Sequence, residues 1–440
     1  IFSEETILFL KFHDLLPEEL NTKYFDFKSR DYLDEKFCKD ILNQINLSYD
    51  NCNYYKDKIC NKFDFTIPDE ISISDLATIP YTPTETFKKS GNRTLNLTKV
   101  PHEKIALYSC SSSTTGDPSI VPRTLEDLDQ IQYNSIKVFT EFFKWKELKT
   151  GSKEGVIFNF SPDRLIMSIM AKRSAEGFEF VDKTRYFTAC MNKPWEFYGH
   201  EEYLVKIKYL KTLWAIISTF SLKGGFVLDV TKMLKMIKKI IRTGYWKSNE
   251  VSKVLFGGSP LLMNNMFEKR LLKEKVFIDL DGKSVVGCGG GGWDGVKGEA
   301  KMGEVNKSRF IESYEKVFNI KSKDIRDIYA FTEGPTLFGG HWSEKYQDFL
   351  LHCPDTARII VRDLENLEPA NDGEEGLLEV LTPYGVNGSI NQAVLVDDIV
   401  ELISRNKCPE CGYKGATFRI QGRLKNAQGK SCSSLIDWVH

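Results

Sequence analysis

The stretch Ser109-Cys-Ser-Ser-Ser-Thr-Thr-Gly-Asp-Pro-Ser119 follows a short apolar run at residues 105–108 and is the most informative part of the sequence. Backbone N–H groups and hydroxyls in such a loop can surround a polyanion, and Gly116 permits a turn with positive φ. Thr124 and Asp127 then form a capping box, which predicts the start of a helix. No G-x-x-x-x-G-K-[ST] pattern is present, so this is not a Walker loop. We interpret the stretch as a phosphate-binding turn, with an ordinary Ser/Thr-rich loop as the alternative.

Helical and strand patterns alternate along the chain, which is typical of an α/β protein. Apolar residues recur at helical spacing over residues 31–47, and a second amphipathic helix is predicted from Asp229 to Gly244. The lysines of this second helix predict a solvated face, and a membrane-surface or partner helix is the alternative. Strands are predicted at residues 156–160, 276–278, 284–286, 358–361 and 377–381. The predicted fold is therefore a large α/β domain of several sheets flanked by helices.

The composition excludes several classes of protein. Among 440 residues, 60 Lys and Arg balance 61 Asp and Glu, so no basic surface for nucleic acid is expected. No apolar run reaches the roughly 20 residues that span a bilayer, and the first residues lack the basic region of a signal peptide. The ten cysteines follow no framework spacing, which indicates reduced thiols. We expect a cytoplasmic protein without a transmembrane segment.

Four segments further along the chain contain residue types suited to nucleotide chemistry. Tyr329-Ala-Phe-Thr-Glu333 offers a hydroxyl and a carboxylate, and a carboxylate is the ligand that a hard cation prefers. Gly287-Cys-Gly-Gly-Gly-Gly-Trp293 follows a predicted strand, where bare backbone could lie against a flat ligand and Trp293 could stack on it. The other two are Leu395-Val-Asp-Asp-Ile-Val400 and Arg419-Ile-Gln-Gly-Arg-Leu-Lys425. Taken singly, each has a plain alternative, such as a capped helix start or a flexible loop.

In this order, and with the turn Gly373-Glu-Glu-Gly-Leu-Leu-Glu-Val380, the segments resemble the motifs of the adenylate-forming superfamily of acyl-activating enzymes. The resemblance implies that Thr332 contacts the α-phosphate of ATP and that Glu333 holds Mg²⁺. It also implies that Asp398, or the neighbouring Asp397, accepts hydrogen bonds from the ribose, and that Lys425 is the pivot of a domain hinge. The residues implied to bind ATP are Ser111, Ser112, Ser113, Thr114, Thr115, Gly116, Gly290, Gly291, Trp293, Tyr329, Asp398 and Arg423.

The sequence departs from the superfamily pattern in three places. Ser113 stands where the pattern has Gly, and Ser119 stands where it has Lys, so one phosphate-facing charge is absent. The chain also ends soon after Arg423, where superfamily members continue into a small domain that carries a catalytic Lys. We therefore expect a truncated or absent small domain, and Lys88 is our suggestion for the missing positive charge.

A narrower resemblance is to the acyl-protein synthetases, the long-chain-fatty-acid–protein ligases of the bacterial bioluminescence fatty-acid reductase complex. It rests on Ile79-Pro-Tyr-Thr-Pro-Thr-Glu-Thr-Phe-Lys88, on Cys408-Pro-Glu-Cys-Gly412 and on Gly429-Lys-Ser-Cys-Ser433. It implies that the acyl group passes from AMP to Cys432 and then to a reductase partner. Lys430 would favour the reactive thiolate modestly. A partly buried surface cysteine is the alternative.

The pair Cys408 and Cys411 has the spacing of half a zinc site, and zinc needs four ligands. The nearest candidates are His352 and Cys353, with His341 behind them. The related phenylacetate-CoA ligases carry a zinc, so the resemblance allows one here. Two reduced cysteines in a tight turn are the alternative, because no short βαβ context suggests a redox pair.

These observations predict a large adenylate-forming domain at residues 1–420, whose residues 1–100 form a helical part, and a hinge with a remnant of the small domain at residues 421–440. The expected reaction is ATP- and Mg²⁺-dependent activation of a carboxylic acid to acyl-AMP, with a fatty acid as the expected substrate. Transfer to a thiol follows, either on Cys432 or on a carrier or reductase protein. A coenzyme A ligase and a catalytically silent nucleotide-binding scaffold remain open as alternatives.

Overall fold

The computed structural model describes residues 30–88, 96–110, 119–142 and 304–423 continuously. It also describes strands and short segments between residues 154 and 301, and residues 436–438. All structural statements below concern these residues. No helix among them is long and apolar enough to cross a membrane.

Three α-helices are described: α1 (Arg30–Asn51), α2 (Leu125–Phe142) and α3 (Lys307–Phe318). Helix α1 confirms the pattern at residues 31–47, because Phe37, Ile41 and Ile45 recur every four residues and are buried on one face. Helix α2 starts at the predicted capping box, where Thr124 N donates to Asp127 Oδ2 and Asp127 N donates to Thr124 Oγ1. Shorter helical turns lie at Tyr55–Cys60, Asn61–Phe63, Ile73–Thr78, Thr84–Phe87, His102–Lys104 and Ser322–Asp324.

Nineteen strands are described within these residues, and twelve of them form one large sheet. Its order is β15-β16-β17-β18-β14-β13-β12-β9-β8-β4-β5, with β1 paired to β17. The strands are β1 (Thr82–Pro83), β2 (Ile105–Cys110), β3 (Ile120–Thr124), β4 (Glu154–Asn159), β5 (Arg185–Thr188), β6 (Cys190–Asn192), β7 (Phe226–Leu228), β8 (Val251–Gly258), β9 (Ser284–Gly289), β10 (Val296–Lys297), β11 (Ala300–Lys301), β12 (Ile325–Tyr329), β13 (Phe338–Ser343), β14 (Asp348–His352), β15 (Arg358–Arg362), β16 (Glu375–Leu381), β17 (Ala393–Ser404), β18 (Thr417–Arg423) and β19 (Ile436–Trp438).

The large sheet has a parallel and an antiparallel part that meet at β12. Strands β5, β4, β8, β9 and β12 run parallel, and β12 then pairs antiparallel with β13. The carboxyl ends of parallel strands meet at one edge, which is where open α/β sheets bind ligands. Residues that follow β12 are therefore placed at the edge where a site is expected.

Strand β17 pairs with β16 along one edge and with two strands, β1 and then β18, along the other. Its first half pairs with β1 through Thr82↔Val394 and Pro83↔Leu395, whereas Asp398 is already opposite Arg423 of β18. Asp397 and Asp398 lie where one neighbour gives way to the other. The two carboxylates therefore have different partners, Lys88 for Asp397 and Arg423 for Asp398.

The core joins α1, the turns at residues 55–87 and the antiparallel half of the sheet into one apolar cluster. A buried ion pair fixes this docking, because Arg362 Nε donates to Glu379 Oε2 at 2.5 Å while its Nη2 donates to the carbonyl of Ala77 at 2.8 Å. The N-terminal turns are thus packed onto β15 and β16. This packing determines where the chain enters β1.

The α/β architecture predicted from the sequence is confirmed, with strands at 154–159, 284–289, 358–362 and 375–381. The prediction of a strand at 276–278 is wrong for its described residues, because Val276 N donates to the carbonyl of Leu271 and closes a helical turn. The predicted helix at Asp229 to Gly244 lies outside the described residues. The proposed domain boundary at residue 421 falls within β18, and the division into domains stays a prediction.

Candidate functional site

The carboxyl end of β12 carries the motif Tyr329-Ala-Phe-Thr-Glu333. Tyr329, Thr332 and Glu333 are all buried. Asn391 Nδ2 donates to the carbonyl of Glu333 at 2.7 Å, and Arg123 Nη2 donates to the carbonyl of Thr332 at 2.9 Å. Two segments from other parts of the chain therefore fix the backbone on which the predicted Mg²⁺ ligand stands.

Arg123 is a site residue that the sequence analysis missed. Its guanidinium has no exposed surface and also donates from Nε to Ser109 Oγ (3.2 Å) and from Nη1 to the carbonyl of Gly385 (2.9 Å). Burial lowers the pKa of Arg123 to about 10, against the nearby charges of Asp127 and Glu333, which raise it. Because Ser109 lies on β2, Arg123 ties the β2–β3 hairpin to the turn at Thr332. An arginine inside the otherwise apolar strand β3 was the signal that could have revealed it.

Glu333 is an acid without a full counter-charge. Burial raises the pKa of its carboxyl, while the hydroxyl of Ser119 and the charge of Lys88 lower it and Asp397 raises it again. A divalent cation would offset the cost of ionising this group. Glu333 therefore fits the expected Mg²⁺ ligand by its oxygen chemistry and its surroundings.

Three residues predicted from separate motifs come together at Asp398. Its carboxylate accepts from the hydroxyl of Tyr329 at 2.7 Å and from Arg423 Nε at 2.8 Å. The negative charge of Asp398 raises the pKa of Arg423, and burial chiefly raises that of Tyr329. The three side chains form a network that holds the carboxylate in one orientation, as a group that binds ribose hydroxyls requires.

The adjacent carboxylate, Asp397, faces the N-terminal segment. It accepts from Thr84 Oγ1 at 3.0 Å through one oxygen and from Lys88 Nζ at 2.8 Å through the other. Both partners follow β1, which pairs with the start of β17. The segment Ile79 to Lys88, which carries part of the resemblance to acyl-protein synthetases, is thereby joined to the ATP motifs.

Trp293, which is expected to stack on adenine, makes contacts with α3 and the large sheet. Its ring packs against Phe310 of α3 at 5.0 Å and against Phe349 of β14 at 5.6 Å between centroids. The indole N–H donates to Asp327 Oδ2 at 3.4 Å, and Lys307 lies over the ring. These partners join α3 to the sheet through the Trp293 ring, and stacking of this ring on adenine stays a prediction.

The remaining predicted site residues lie outside the part of the chain that the structure describes: Ser111, Ser112, Ser113, Thr114, Thr115, Gly116, Gly290, Gly291, Lys425 and Cys432. Their flanks are described. Strands β2 and β3 pair antiparallel on either side of the Ser/Thr-rich loop, with Cys110 opposite Ile120. Cys432 precedes β19, which pairs parallel with β7.

A second cluster lies on the other face of the sheet. His341 of β13, His352 of β14 and the turn residues Cys408 and Cys411 place one ligand atom each within 4.8 Å of all the others. His341 Nε2 lies 3.5 Å from Cys408 Sγ, and His352 Nε2 lies 3.5 Å from Cys411 Sγ. Bonds of about 2.3 Å to sulfur and about 2.0 Å to nitrogen in a tetrahedral zinc site separate such atoms by about 3.5 Å.

The histidines of this cluster are oriented by their other nitrogens. His341 Nδ1 lies 3.0 Å from the carbonyl of Trp342, and His352 Nδ1 lies 3.2 Å from Thr417 Oγ1. Burial lowers the pKa of His352 to about 3, and hydrogen bonds from Cys411 and His341 lower that of Cys408. These two shifts favour neutral imidazole at His352 and thiolate at Cys408, which are the forms that bind zinc.

The expected set of zinc ligands is corrected at one position. Cys353 follows His352 directly, so its side chain points to the opposite face of the chain, where its Sγ approaches the carbonyl of Pro354 at 3.7 Å. His341 takes the place expected for Cys353. It does so because Gly339 is opposite His352, which puts His341 on the same face of the neighbouring strand.

Comparison with known proteins agrees with these motifs. The family model "Acyl-protein synthetase, LuxE" matches residues 220–438, just under half of the chain, and no curated protein matches the sequence. The resemblance to acyl-protein synthetases is therefore confirmed over these residues.

Solved structures of 2-hydroxyisobutyryl-CoA ligase share the fold. One in an open conformation with 2-HIB-AMP and CoA is 15% identical with a TM-score of 0.58, covering 91% of this chain and 79% of that chain. Another with the same ligands in the thioesterification state is 16% identical with a TM-score of 0.56, covering 91% of this chain and 72% of that chain. At this level of identity the similarity establishes the adenylate-forming fold.

Proposed function

We propose, on the premise that this chain has the adenylate-forming fold and matches the acyl-protein synthetase family over residues 220–438, that it activates a carboxylic acid as acyl-AMP and transfers the acyl group to a thiol. The observation that carries the proposal is the position of Glu333. Glu333 is a buried carboxylate on the turn that follows β12, and Tyr329 at the end of β12 is hydrogen-bonded in a network with Asp398 and Arg423.

In the first step, a carboxylate oxygen of the acid attacks the α-phosphorus of ATP, the new O–P bond forms, and the bond to pyrophosphate breaks. Glu333 would hold Mg²⁺, which offsets the charge that develops on the phosphates. Thr332 contacts the α-phosphate, and Asp398 accepts hydrogen bonds from the ribose in the orientation set by Tyr329 and Arg423. Arg123 keeps the turn of Thr332 at a fixed position from the hairpin that carries the phosphate loop.

In the second step, a thiolate attacks the acyl carbon, a thioester forms, and AMP leaves with the electrons of the acyl–oxygen bond. We propose Cys432 as the first acceptor and a reductase or carrier protein as the next, which follows the resemblance to acyl-protein synthetases. A long-chain fatty acid is the proposed substrate on the same ground. Lys425 would then lie at the pivot between the two steps.

Coenzyme A is the second candidate for the acceptor. The specific observation in its favour is the fold shared with 2-hydroxyisobutyryl-CoA ligase, whose structures contain CoA and an acyl adenylate. The two acceptors differ in what the second step requires. Transfer to Cys432 proceeds without added coenzyme A and leaves a covalently labelled chain.

The cluster of His341, His352, Cys408 and Cys411 would hold Zn²⁺ as a closed site of four protein ligands. Such sites are structural, because no position is left for water or substrate. The ligands join β13, β14 and the turn between β17 and β18, so the ion would stabilise the antiparallel half of the sheet. Cytoplasmic location, where these thiols stay reduced, remains our expectation.

The proposal is tested by incubating the chain with ATP, Mg²⁺ and radiolabelled fatty, aryl or amino acids, with hydroxylamine added to trap an acyl adenylate as the hydroxamate. We expect hydroxamate and AMP with fatty acids. Without hydroxylamine, we expect label on the wild-type chain and none on Cys432→Ser, while Cys38→Ser serves as the matched cysteine control. Label that appears only on added coenzyme A would select the second candidate, and ATP binding without hydroxamate from any acid would favour a silent scaffold.

A further inference from the structure

We infer that Lys88 is a catalytic residue whose ammonium contacts the triphosphate of ATP, and that Asp397 is the positioning residue that holds it there. This inference rests on the proposed function, since it takes ATP to be the nucleotide bound beside Glu333. It supplies a source for the positive charge that the sequence left open.

The backbone of Lys88 is held close to the site by the strand and the turn that precede it. Strand β1 pairs parallel with the start of β17, and the turn Thr84–Phe87 follows at once. Phe87 is 1% exposed and anchors the end of this turn, while Lys88 N donates to the carbonyl of Glu85. The backbone of Lys88 is therefore fixed next to the strand that carries Asp397 and Asp398.

Asp397 then fixes the side chain. Its two oxygens are divided between Thr84 Oγ1 at 3.0 Å and Lys88 Nζ at 2.8 Å, so the hydroxyl orients the carboxylate and the carboxylate orients the ammonium. The side chain of Lys88 keeps 19% of its surface exposed and that of Asp397 keeps 17%. The pair is thus largely withdrawn from solvent, with part of each side chain still exposed.

The charge balance of the site indicates what the ammonium of Lys88 can bind. Glu333, Asp397 and Asp398 bring three carboxylates together, and the charges of Lys88 and Asp397 both act on Glu333. Of the three cations that the described residues place there, Arg423 pairs with Asp398, and Arg123 donates to Ser109 and to two backbone carbonyls. Lys88 donates to Asp397, and an ammonium has two further N–H donors for an anionic ligand.

The phosphate loop itself makes such a cation necessary. Ser119 ends the loop where the superfamily pattern has a lysine, and its hydroxyl acts on Glu333. A site that gathers carboxylates around a polyphosphate needs positive charge besides the metal. Lys88 brings that charge from the N-terminal segment to the same carboxylate that Ser119 faces.

The test is equilibrium binding of ATP, AMP and adenosine in the presence of Mg²⁺, measured by calorimetry for the wild type, Lys88→Met and Lys88→Arg. Lys58→Met, which removes an exposed lysine of another turn, is the control for net charge. Because charge-assisted hydrogen bonds are lost, we expect Lys88→Met to weaken ATP binding by about 10- to 100-fold. Adenosine should bind within about twofold of the wild type, and Lys88→Arg should recover part of the loss.

Equal ATP affinity in the wild type and Lys88→Met would overturn the inference, and so would an equal loss for adenosine, which points to a damaged fold. The role of Asp397 is tested by a double-mutant cycle. Asp397→Asn should weaken ATP binding in the wild-type background and have little effect on Lys88→Met, whereas additive losses would show that Asp397 acts independently of Lys88.

Binding and turnover separate this inference from the proposed function. If the wild type binds ATP in a manner that depends on Lys88 but forms no acyl adenylate, the proposed function fails and the assignment of Lys88 stands. If adenylate forms and Lys88→Met leaves both ATP affinity and turnover unchanged, the proposed function stands and the assignment fails. A wild-type chain that binds no ATP overturns both.

Discussion

The carboxylate site at the end of β12 and the His–Cys cluster of β13 and β14 occupy neighbouring strands of one sheet but opposite faces of it. Tyr329 of β12 is opposite Phe338 of β13. His341 lies three residues after Phe338 on β13, so its side chain points to the other face of the sheet. In the first, each charged side chain is held by a donor from a distant segment. In the second, four ligand atoms lie close to one another.

This difference separates two kinds of site. The carboxylate site gathers Glu333, Asp397 and Asp398, and the proposed Mg²⁺ and ATP would relieve their repulsion and leave again with each turnover. The His–Cys cluster places four ligand atoms within 4.8 Å of one another, so its geometry suits a resident ion. We expect changes in the first to alter turnover and changes in the second to alter stability.

The largest effect is expected when the zinc ligands are removed. Cys408→Ser should lose the proposed zinc and lower the free energy of unfolding by more than ~3 kcal/mol, because the ion would link three parts of the sheet. Zinc content measured by mass spectrometry and thermal unfolding would check this. Cys353→Ser is the matched control, since Cys353 is an adjacent buried cysteine outside the cluster, and it should retain zinc.

Full zinc content in Cys408→Ser, or loss of zinc in Cys353→Ser, would contradict the ligand set. The wild-type protein purified without a chelator could also contain no zinc and gain no stability from added Zn²⁺. That result would contradict the proposal that the His–Cys cluster holds a resident ion.

A smaller effect is expected at the link between the hairpin and the Thr332 turn. Arg123→Met removes the donor to two carbonyls and to Ser109, so it should lower stability by about 2–4 kcal/mol. If Arg123 also positions the phosphate loop, it should lower kcat/KM for ATP by a further ~10-fold or more in protein that is still folded. Kinetics at a temperature well below unfolding, with Arg123→Lys alongside, would measure both.

Loss of stability without any change in kcat/KM of the folded fraction would show that Arg123 is purely structural. Partial recovery of kcat/KM in Arg123→Lys would support the positioning role, because lysine keeps the charge and part of the hydrogen bonding.

The smallest expected effect concerns pH. Burial raises the pKa of Asp327 from 3.8 to about 7, opposed by the charge of Lys307 and by hydrogen bonds from Ile328 N and Trp293. Between these two pH values the unfolded chain has lost this proton while the folded chain keeps it, so the contribution of Asp327 to stability falls as pH rises to about 7. Asp327→Asn should therefore be the more stable protein at pH 8, by on the order of 1–3 kcal/mol, and similar to the wild type near pH 4.

Chemical denaturation at several pH values would check this prediction. A wild type and Asp327→Asn with parallel stability curves would contradict it. The charges that face Asp327 from the neighbouring elements are Lys307 and Asp348, so Lys307→Met is a useful comparison, because it should raise the pKa of Asp327 further.

The sequence predicted local features well where the pattern was strong. Helix α1, the capping box at Thr124 and the strands at 284–289 and 358–362 follow directly from apolar spacing and capping chemistry. The order of the motifs also placed Tyr329, Asp398 and Arg423 in one site, and the structure brings them within hydrogen-bonding distance.

The errors have a common physical cause. Which side chains face one another depends on how a strand or helix is aligned with another segment that is distant in sequence. Cys353 and His352 are adjacent in sequence but point to opposite faces, and only the pairing of β13 with β14 puts His341 beside His352. Arg123 donates to two backbone carbonyls more than two hundred positions away, and Trp293 packs against residues of α3 and β14. No local pattern specifies such contacts.

The most direct test of the account is ATP–pyrophosphate exchange with a panel of fatty, aryl and amino acids, for the wild type, Glu333→Gln and the exposed control Glu344→Gln. We predict exchange with one class of acid, lost by at least ~10²-fold in Glu333→Gln and kept in Glu344→Gln, with thermal stability of all three proteins unchanged or slightly raised in Glu333→Gln. Exchange that survives in Glu333→Gln, or a wild type that binds ATP and Mg²⁺ and exchanges pyrophosphate with none of the acids, would contradict it.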